Sequence, residues 1–328
     1  MGLSGRGNMA FERGGQMQVL TADASVPAEL KGGVVAIGNF DGVHRGHQAL
    51  IEKVRQRANG LGTASGVMVF EPHPREFFQP SEPHFRLTPL PLKLRRFAAL
   101  GLDFVNVKAF DKDFASLSAA AFIEHELVAM LAPRHVVIGY DFFFGKGRSG
   151  TPETMRLAGQ DLGFGVTVVA PVAEDGEVFS STSVRLKLAQ GDVRHAASDL
   201  GTYWRVSGRV VGGAQRGTGI GFPTANIALE PGTALAHGIY AVFVEVDGVR
   251  RRGAAYLGTR PTFDNGAPVL EVFLLDFDGD LYGKDIEVAF VDFIRADRRF
   301  DSVEALQAQM TADCDRARAI LADAESTV

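Results

Sequence analysis

The decapeptide Gly38-Asn39-Phe40-Asp41-Gly42-Val43-His44-Arg45-Gly46-His47 decides the fold of the first half of this chain. It follows the apolar run Val34 to Ile37 and precedes Gln48 to Asn59, where apolar residues recur at helical spacing. A strand that ends in glycines and turns into a helix is a phosphate site in the making. Gly38, Gly42 and Gly46 let backbone approach a phosphate closely, and the free N–H groups and dipole of a helix start favour negative charge. His44 and His47, three apart, project from one side of the first turn, where imidazoles can donate hydrogen bonds to phosphate oxygens as charge builds in a displacement. Gly38, Asn39, Phe40, Asp41, Gly42 and Gly46 are therefore the candidate phosphate loop, and His44 and His47 the candidate catalytic groups. Two other readings of the histidines stay open. One is a transition-metal pair with Asp41 nearby, which lacks a third strong ligand at a telling spacing; the other is plain capping and packing. The glycines fit neither G-x-G-x-x-G nor a P-loop ending in Lys-Ser/Thr.

Outward from this segment, β-branched runs alternate with helical stretches. The runs are Val34 to Ile37, Gly66 to Phe70, Phe104 to Val107, His135 to Ile138 and Val166 to Val169. The stretches are Gln48 to Asn59, Leu90 to Leu100, Ser118 to Leu131 and Pro152 to Leu162. That alternation predicts an α/β domain around a mostly parallel sheet. Behind the fifth run stands Ser180-Ser181-Thr182-Ser183-Val184-Arg185, hydroxyls and an arginine at the head of another helix. Alone this is a good N-cap. Together with the histidine segment, Ser181, Thr182 and Arg185 suit a polyphosphate.

A helical pair, Val184 to Gln190 and Val193 to Leu200, ends at Gly201, and the pattern then changes to short strand-like runs. These are Tyr203 to Val211, Tyr240 to Val246, Val249 to Leu257, Val269 to Phe277 and Ile286 to Phe293, with Asp247-Gly248 as a hairpin signal. A sandwich or small barrel closed by one amphipathic helix, Ser302 to Leu321, is expected. In this half Gly217-Thr218-Gly219-Ile220-Gly221-Phe222-Pro223-Thr224-Ala225-Asn226 joins a glycine-rich loop to a hydroxyl and an amide. Gly217, Gly219 and Gly221 can close over phosphates while Thr224 and Asn226 coordinate Mg2+. Glu271 heads the run E-V-F-L-L-D-F, from which a carboxylate aimed into a cleft takes a proton from an attacking alcohol; a strand glutamate facing solvent is the other reading.

At 328 residues the chain has the length of two domains, and 46% apolar with 22% charged residues suits a buried core. A net charge of −5 supplies no global positive field for nucleic acid. The single cysteine, Cys314, forms no intramolecular disulfide and no metal cluster, which fits a reducing cytoplasm. No apolar run approaches the roughly 20 residues that span a bilayer, and residues 1–30, which lack a signal-type apolar stretch, read as a loose extension.

These motifs carry a family resemblance. From about Val34 to Leu200 the chain resembles the nucleotidyltransferase domain of prokaryotic bifunctional riboflavin kinase/FAD synthetases. The likeness rests on G-N-F-D-G-V-H-R-G-H, Phe70-Glu71-Pro72-His73-Pro74-Arg75, Arg86-Leu87-Thr88, Phe114-Ala115-Ser116-Leu117-Ser118, Phe144-Gly145-Lys146-Gly147-Arg148 and S-S-T-S-V-R. From Thr202 to Arg318 it is similar to the riboflavin kinase domain, through G-F-P-T-A-N, Arg260-Pro261-Thr262-Phe263, E-V-F-L-L-D-F and Asp280-Leu281-Tyr282-Gly283-Lys284. The resemblance implies a Rossmann-like nucleotidyltransferase domain over 31–184, a helical linker over 185–201 and a six-stranded barrel with a C-terminal helix over 202–328. It implies phosphorylation of riboflavin by ATP and then AMP transfer from ATP to FMN, giving FAD and pyrophosphate. The partners it implies are small molecules, riboflavin, FMN and ATP with Mg2+.

On the flavin side the resemblance assigns Asp141 to the flavin or adenine side, Arg75 to a flavin phosphate, with a surface salt bridge as its other reading, and Arg295 to the segment over the flavin pocket, with a solvated basic turn as its other reading. The chain departs from the family pattern at Tyr140, where an acidic residue is expected, and at Phe143, where an arginine is expected. It departs again at Ala214 and Thr218, which stand for an acidic residue and an arginine. Those last changes keep a second reading open: an FMN adenylyltransferase whose barrel binds flavin as a sensing module.

Overall fold

The computed structural model describes residues 16–21, 25–211, 224–259 and 268–326. It divides into two compact units, one of residues up to Glu82 with Thr88–Phe179, the other of Pro83–Leu87 with Ser180 onward.

The first unit holds a six-stranded sheet in the order β1-β4-β3-β2-β5-β6, with every pairing parallel. The strands are β1 (Gln18–Leu20), β2 (Val34–Ile37), β3 (Ser65–Glu71), β4 (Phe104–Ala109), β5 (His135–Gly139) and β6 (Gly165–Val169). Helix α1 (Arg45–Leu61) follows β2. After β3 come α2 (Pro74–Phe78) and α3 (Leu90–Ala99), after β4 come α4 (Lys112–Ser116) and α5 (Ala119–Ala121), and α6 (Pro152–Leu162) follows β5. A small hairpin, β7 (Ala173–Glu174) and β8 (Glu177–Val178), ends the unit.

Side chains alternate across β2. Val35 and Ile37 join the core under Phe122, Leu127 and Met155, while Val34 and Ala36 join the opposite core under Ile51 and Val54 of α1 and Phe97 of α3. Burial on both faces explains why these strands read as continuous apolar runs. From β2 the chain winds outward through β3 and β4 and then crosses to β5 on the other side of β2. The carboxyl ends of β2 and β5 therefore flank the reversal in strand order, where open α/β sheets bind ligands.

Two features depart from the sequence pattern. Gln18–Leu20, within the stretch expected to be a loose extension, pairs with β4, and Leu20, Val26 and Leu30 are buried. The helix expected over Ser118 to Leu131 is α5 running into a π-helical stretch, Phe122–Ala129. Periodicity of apolar residues does not distinguish the wider turn.

In the second unit, α7 (Ser181–Ala189) and α8 (Val193–Leu200) precede a sheet of β9 (Trp204–Arg209), β10 (Ala225–Ala228), β11 (Gly238–Val246), β12 (Val249–Thr259), β13 (Pro268–Leu274) and β14 (Asp285–Ala296). Its order is β10-β13-β12-β11-β14-β9 and every pairing is antiparallel. The Val211–Asn226 bridge, with Val211 N–H donating to Asn226 O at 3.0 Å, joins the two edges into a nearly closed six-stranded barrel. β11 turns into β12 through Asp247 and Gly248, both at positive φ as a two-residue hairpin turn requires.

Inward residues Tyr240, Val242, Val244, Leu257, Leu270 and Val288 fill the barrel, and Val184, Leu188 and Val193 of the helical pair join the same core. Outward residues Ala241, Phe243 and Val291 pack on Cys314, Ala317 and Leu321 of α9 (Val303–Ser326). The Cys314 thiol is buried there, which pushes its pKa up to about 11. The sixth strand, β10, has no apolar run of its own to announce it: Ala-Asn-Ile-Ala is placed by pairing with β13.

Candidate active sites

In the first unit the segment after β2 is bent at three positions of positive φ: Phe40 at 50°, Gly42 at 85° and Val43 at 46°. Phe40 and Val43 are not glycine, and Val43 is β-branched, so these conformations cost energy and need surrounding structure to hold them. The hold is visible residue by residue. Lys93 Nζ donates to Asn39 O at 2.9 Å, Phe97 meets the Phe40 ring edge-on at 5.6 Å, and Thr88 N–H donates to the buried Asp41 carboxylate at 3.0 Å. From the α1 side, Gln48 Nε2 donates to Val43 O at 2.8 Å.

His44 is the N-cap of α1 rather than part of it, and His47 sits in the first turn. Their rings stack at 3.7 Å, and Phe40 lies 5.1 Å from His47. Gly46 is the residue that permits this. A Cβ there would stand 3.0 Å from the His44 ring and 3.2 Å from Phe179 O. Among the described residues His47 Nδ1 is buried without a hydrogen-bond partner. Burial first, then the neighbouring His44 and the Lys93 charge, hold the His47 pKa well below its ordinary value, so the ring is neutral at pH 7. No group of three or more His, Cys, Asp or Glu able to hold a metal occurs among the described residues. His47 is thus a neutral ring stacked on His44 over a bent loop at the head of a helix.

The carboxyl ends of β3, β4 and β5 carry an aromatic series that joins the phenylalanines heading three separate motifs with others outside them. Phe70, Phe110 and Phe114 touch at 5.4–6.0 Å, Phe77 and Phe78 of α2 join Phe110, and Phe122 links Phe114 to Phe144. Phe142 stacks on Phe144 at 5.3 Å. Phe78 is 63% exposed, and Tyr140 and Phe143 are also open to solvent. Asp141 follows Tyr140 in the chain just after β5. At the departure Phe143, the Arg148 guanidinium stands 5.0 Å over the ring. Arg75 is exposed on α2, where its Nε donates to Gln79 Oε1 at 3.1 Å and Glu82 lies 4.0 Å away.

In the second unit Ser180 caps α7 by accepting from Ser183 N–H at 3.1 Å, which places Ser181 and Thr182 in the first turn. Arg185 Nε donates to Phe85 O at 2.7 Å, and its Nη2 lies 3.2 Å from His84 Nε2.

The barrel site is a matter of register. Asn226 pairs with Glu271, Glu271 with Tyr256, Tyr256 with Ile239, and Ile239 with Arg295. Their neighbours Leu270, Leu257 and Tyr240 point inward, so this row crosses the outer face of five strands. Thr224 joins it: its Oγ1 is 3.5 Å from Glu271 Oε2, and its carbonyl is 3.5 Å from Asn226 Nδ2. Tyr256 Oη donates to Asp297 Oδ2 at 3.1 Å.

Arg295 closes the row, but it is neither in a turn nor solvated. It lies in β14 and grips Asp313 of α9 with Nε at 3.0 Å and Nη2 at 2.7 Å, while Gln309 donates to the same carboxylate at 2.7 Å. Gly217, Gly219 and Gly221, together with Ala214, Thr218 and Arg260–Phe263, lie outside the described residues.

A family model described as FAD synthetase matches residues 26–183, and one described as riboflavin kinase matches 200–321. A Pseudomonas fluorescens protein named bifunctional riboflavin kinase/FMN adenylyltransferase is 42% identical over 311 residues, 93% of this chain and 98% of its own length. The chain belongs to the bifunctional riboflavin kinase/FMN adenylyltransferase family. The Escherichia coli K12 protein of the same name is also 42% identical, over 87% of this chain and 92% of its own.

A crystal structure described as a macrolide-efflux protein from Streptococcus pneumoniae is similar too. It has a TM-score of 0.81 and 30% identity over 92% of this chain and 99% of that one. The efflux description belongs to that protein. No helix among the described residues here is long and apolar enough to cross a membrane.

Proposed function

We infer that this chain makes flavin nucleotides in two ATP-dependent steps, riboflavin to FMN and FMN to FAD. The carrying observation is the presence of both family domains on one chain, with whole-length relatives bearing both activities in their names.

For adenylyl transfer we assign the ATP phosphates to Gly38–His47, with Ser181, Thr182 and Arg185 toward the β- and γ-phosphates. An FMN phosphate oxygen attacks the α-phosphorus, forming the new P–O bond as the α–β bond breaks and pyrophosphate leaves. No protein nucleophile is needed; positioning and charge stabilisation carry the step. The neutral His47 ring, stacked on His44 at the head of α1, supports this role, because a neutral imidazole N–H can donate to phosphate oxygen. The aromatic series beside Asp141 suits an isoalloxazine ring, with Arg148 over Phe143 bringing a cation to that edge. Arg75, on the same end of the sheet, is assigned to the flavin phosphate.

For the kinase step we assign Glu271 as the base that takes the riboflavin 5′-hydroxyl proton while that oxygen attacks the γ-phosphorus and ADP leaves. Gly217, Gly219 and Gly221 are assigned to the ATP phosphates. The hydroxyl of Thr224 and the amide oxygen of Asn226 are hard donors beside Glu271, which fits Mg2+ held jointly with substrate phosphates. When bound, Mg2+ supplies charge neutralisation of those phosphates. We further propose 31–184, 185–201 and 202–328 as the functional divisions of the chain.

The test is to incubate purified protein with riboflavin, ATP and Mg2+ and separate the flavins by chromatography. FMN is expected first, followed by FAD. Conversion of supplied FMN to FAD with riboflavin untouched would leave the barrel as a flavin-binding module and sink the kinase assignment.

A further inference from the structure

Lys93 is absent from every motif that marks the two activities. It lies in the first turn of α3 with only 4% of its side chain exposed. A buried ammonium is costly unless paired, and an apolar side chain of similar volume is often as good or better for stability. Its placement is specific. Nζ donates to Asn39 O at 2.9 Å and stands 3.8 Å from Glu71 Oε1 at the end of β3. Asn39 is one of three successive residues held from the stretch Thr88 to Phe97, which also packs on Phe40 through Phe97 and binds Asp41 through Thr88. Of these three holds, Lys93 alone brings a full charge under the loop.

We propose that Lys93 is a positioning residue of the adenylyl-transfer site, a buried cation that fixes the turn through Asn39 and sets the potential a polyphosphate meets at Gly38–His47. The proposal rests on the adenylyl-transfer reading of that loop. In water-poor surroundings a fixed charge acts at longer range than on the surface. The charged groups facing His47 are His44 from the loop and Lys93 from α3, with Glu71 of β3 as the counter-charge of Lys93. The cation therefore does two things at once: it adds to burial and to His44 in holding the His47 pKa down, and it places a positive charge under the loop an anion would approach.

Lys93→Met separates this role from mere packing. In the ligand-free variant, the NMR titration midpoint of His47 is expected to move up, because a positive neighbour has gone. Binding of inorganic pyrophosphate is expected to weaken by about tenfold, the KM for ATP in FAD formation to rise similarly, and FMN formation from riboflavin to stay within about twofold. An unmoved His47 midpoint with unchanged pyrophosphate binding overturns the proposal, and so does an equal fall in both activities. Should Lys93→Met fail to fold, Glu71→Gln reads the same field with opposite sign: the midpoint falls and pyrophosphate binds more tightly, and no change in either overturns the proposal. Failure of the wild-type protein to make FAD is a separate result, which strikes the adenylyl-transfer reading itself.

Discussion

The first unit gathers its candidate phosphate loop and histidines within the short stretch Gly38–His47, whereas the candidate barrel site draws Asn226, Tyr256, Glu271 and Arg295 from four different strands. One site is built by bending a chain, the other by aligning strands. Bending places Phe40 and Val43 at positive φ, where Lys93, Phe97 and Thr88 grip residues 39–41 and Gln48 holds Val43. Alignment needs no strained backbone, but it depends on every ladder between β10 and β14 keeping register, since a one-residue slip turns a side chain to the other face. The loop site should therefore be sensitive to what lies beneath it, and the barrel site to what locks its strands and α9 together.

The sharpest way to separate the two regions is Glu271→Gln, which keeps shape and removes the base. FMN formation is expected to fall by roughly 10²–10⁴-fold, while conversion of supplied FMN to FAD stays near the wild-type rate. Parallel assays with riboflavin and with FMN as substrate decide it; a matching loss in both would mean that the two sites are not chemically independent.

Next in size is the lock at the far end of the barrel row. Asp313→Ala leaves Arg295 half-buried without its carboxylate, a change that costs about 3–5 kcal/mol when a buried pair is broken. Denaturant unfolding followed by Trp204 fluorescence measures it, because Trp204 packs in the barrel core against Phe290 at 5.1 Å. If Arg295 served the flavin directly, freeing it would leave stability nearly unchanged and alter riboflavin binding instead.

The same contrast explains what could be read without coordinates. The loop is legible because its glycines, histidines and following helix are contiguous, and local chemistry restricts what such a string can do. The parallel sheet is legible because strands buried on both faces appear as unbroken apolar runs. The barrel row is only partly legible. Glu271, Thr224 and Asn226 stand in recognisable motifs, but Tyr256 sits in an ordinary strand sequence and becomes notable only when pairing puts it beside Glu271. Arg295 is misleading for the same reason: the basic run Arg295 to Arg299 suggests a solvated turn, and only α9 docking reveals Asp313 as its partner. Lys93 and the phenylalanine series belong to this hidden class as well, since burial and ring contacts arise from distant parts of the chain.

A smaller effect is expected from His47→Gln in the loop. The amide loses the imidazole that stacks on His44 and cannot hold an N–H at the ring's position, and FAD formation is expected to fall by about a hundredfold, the size of effect seen when a transition-state donor is misplaced, with FMN formation intact. The variant also carries a pH signature. His47 is held below its unfolded value near 6.5, so between the folded and unfolded values the unfolded chain binds the extra proton. Its contribution to stability is therefore fully present above about pH 6.5 and is lost as pH falls toward the folded value. Unfolding midpoints measured on either side of that window should fall less steeply with acid in His47→Gln than in the wild type; identical slopes would show that the ring is not buried neutral.

The smallest effect tests whether register alone makes the barrel site. Tyr256→Phe removes only the hydroxyl that donates to Asp297, so the ring still fills its place beside Glu271 and over Gly258, where a Cβ would meet the tyrosine oxygen at 1.9 Å. A single exposed hydrogen bond contributes about 0.5–1.5 kcal/mol, and global stability should change by no more than that. The bond nevertheless ties the segment leaving β14 to the strand next to the proposed base, so its loss should appear in the KM for riboflavin, by a few fold, with kcat preserved. A fall in kcat with KM unchanged would place the hydroxyl in the chemistry rather than in the holding of that segment, and the barrel would then resemble the loop, with function resting on individual contacts as well as on strand alignment.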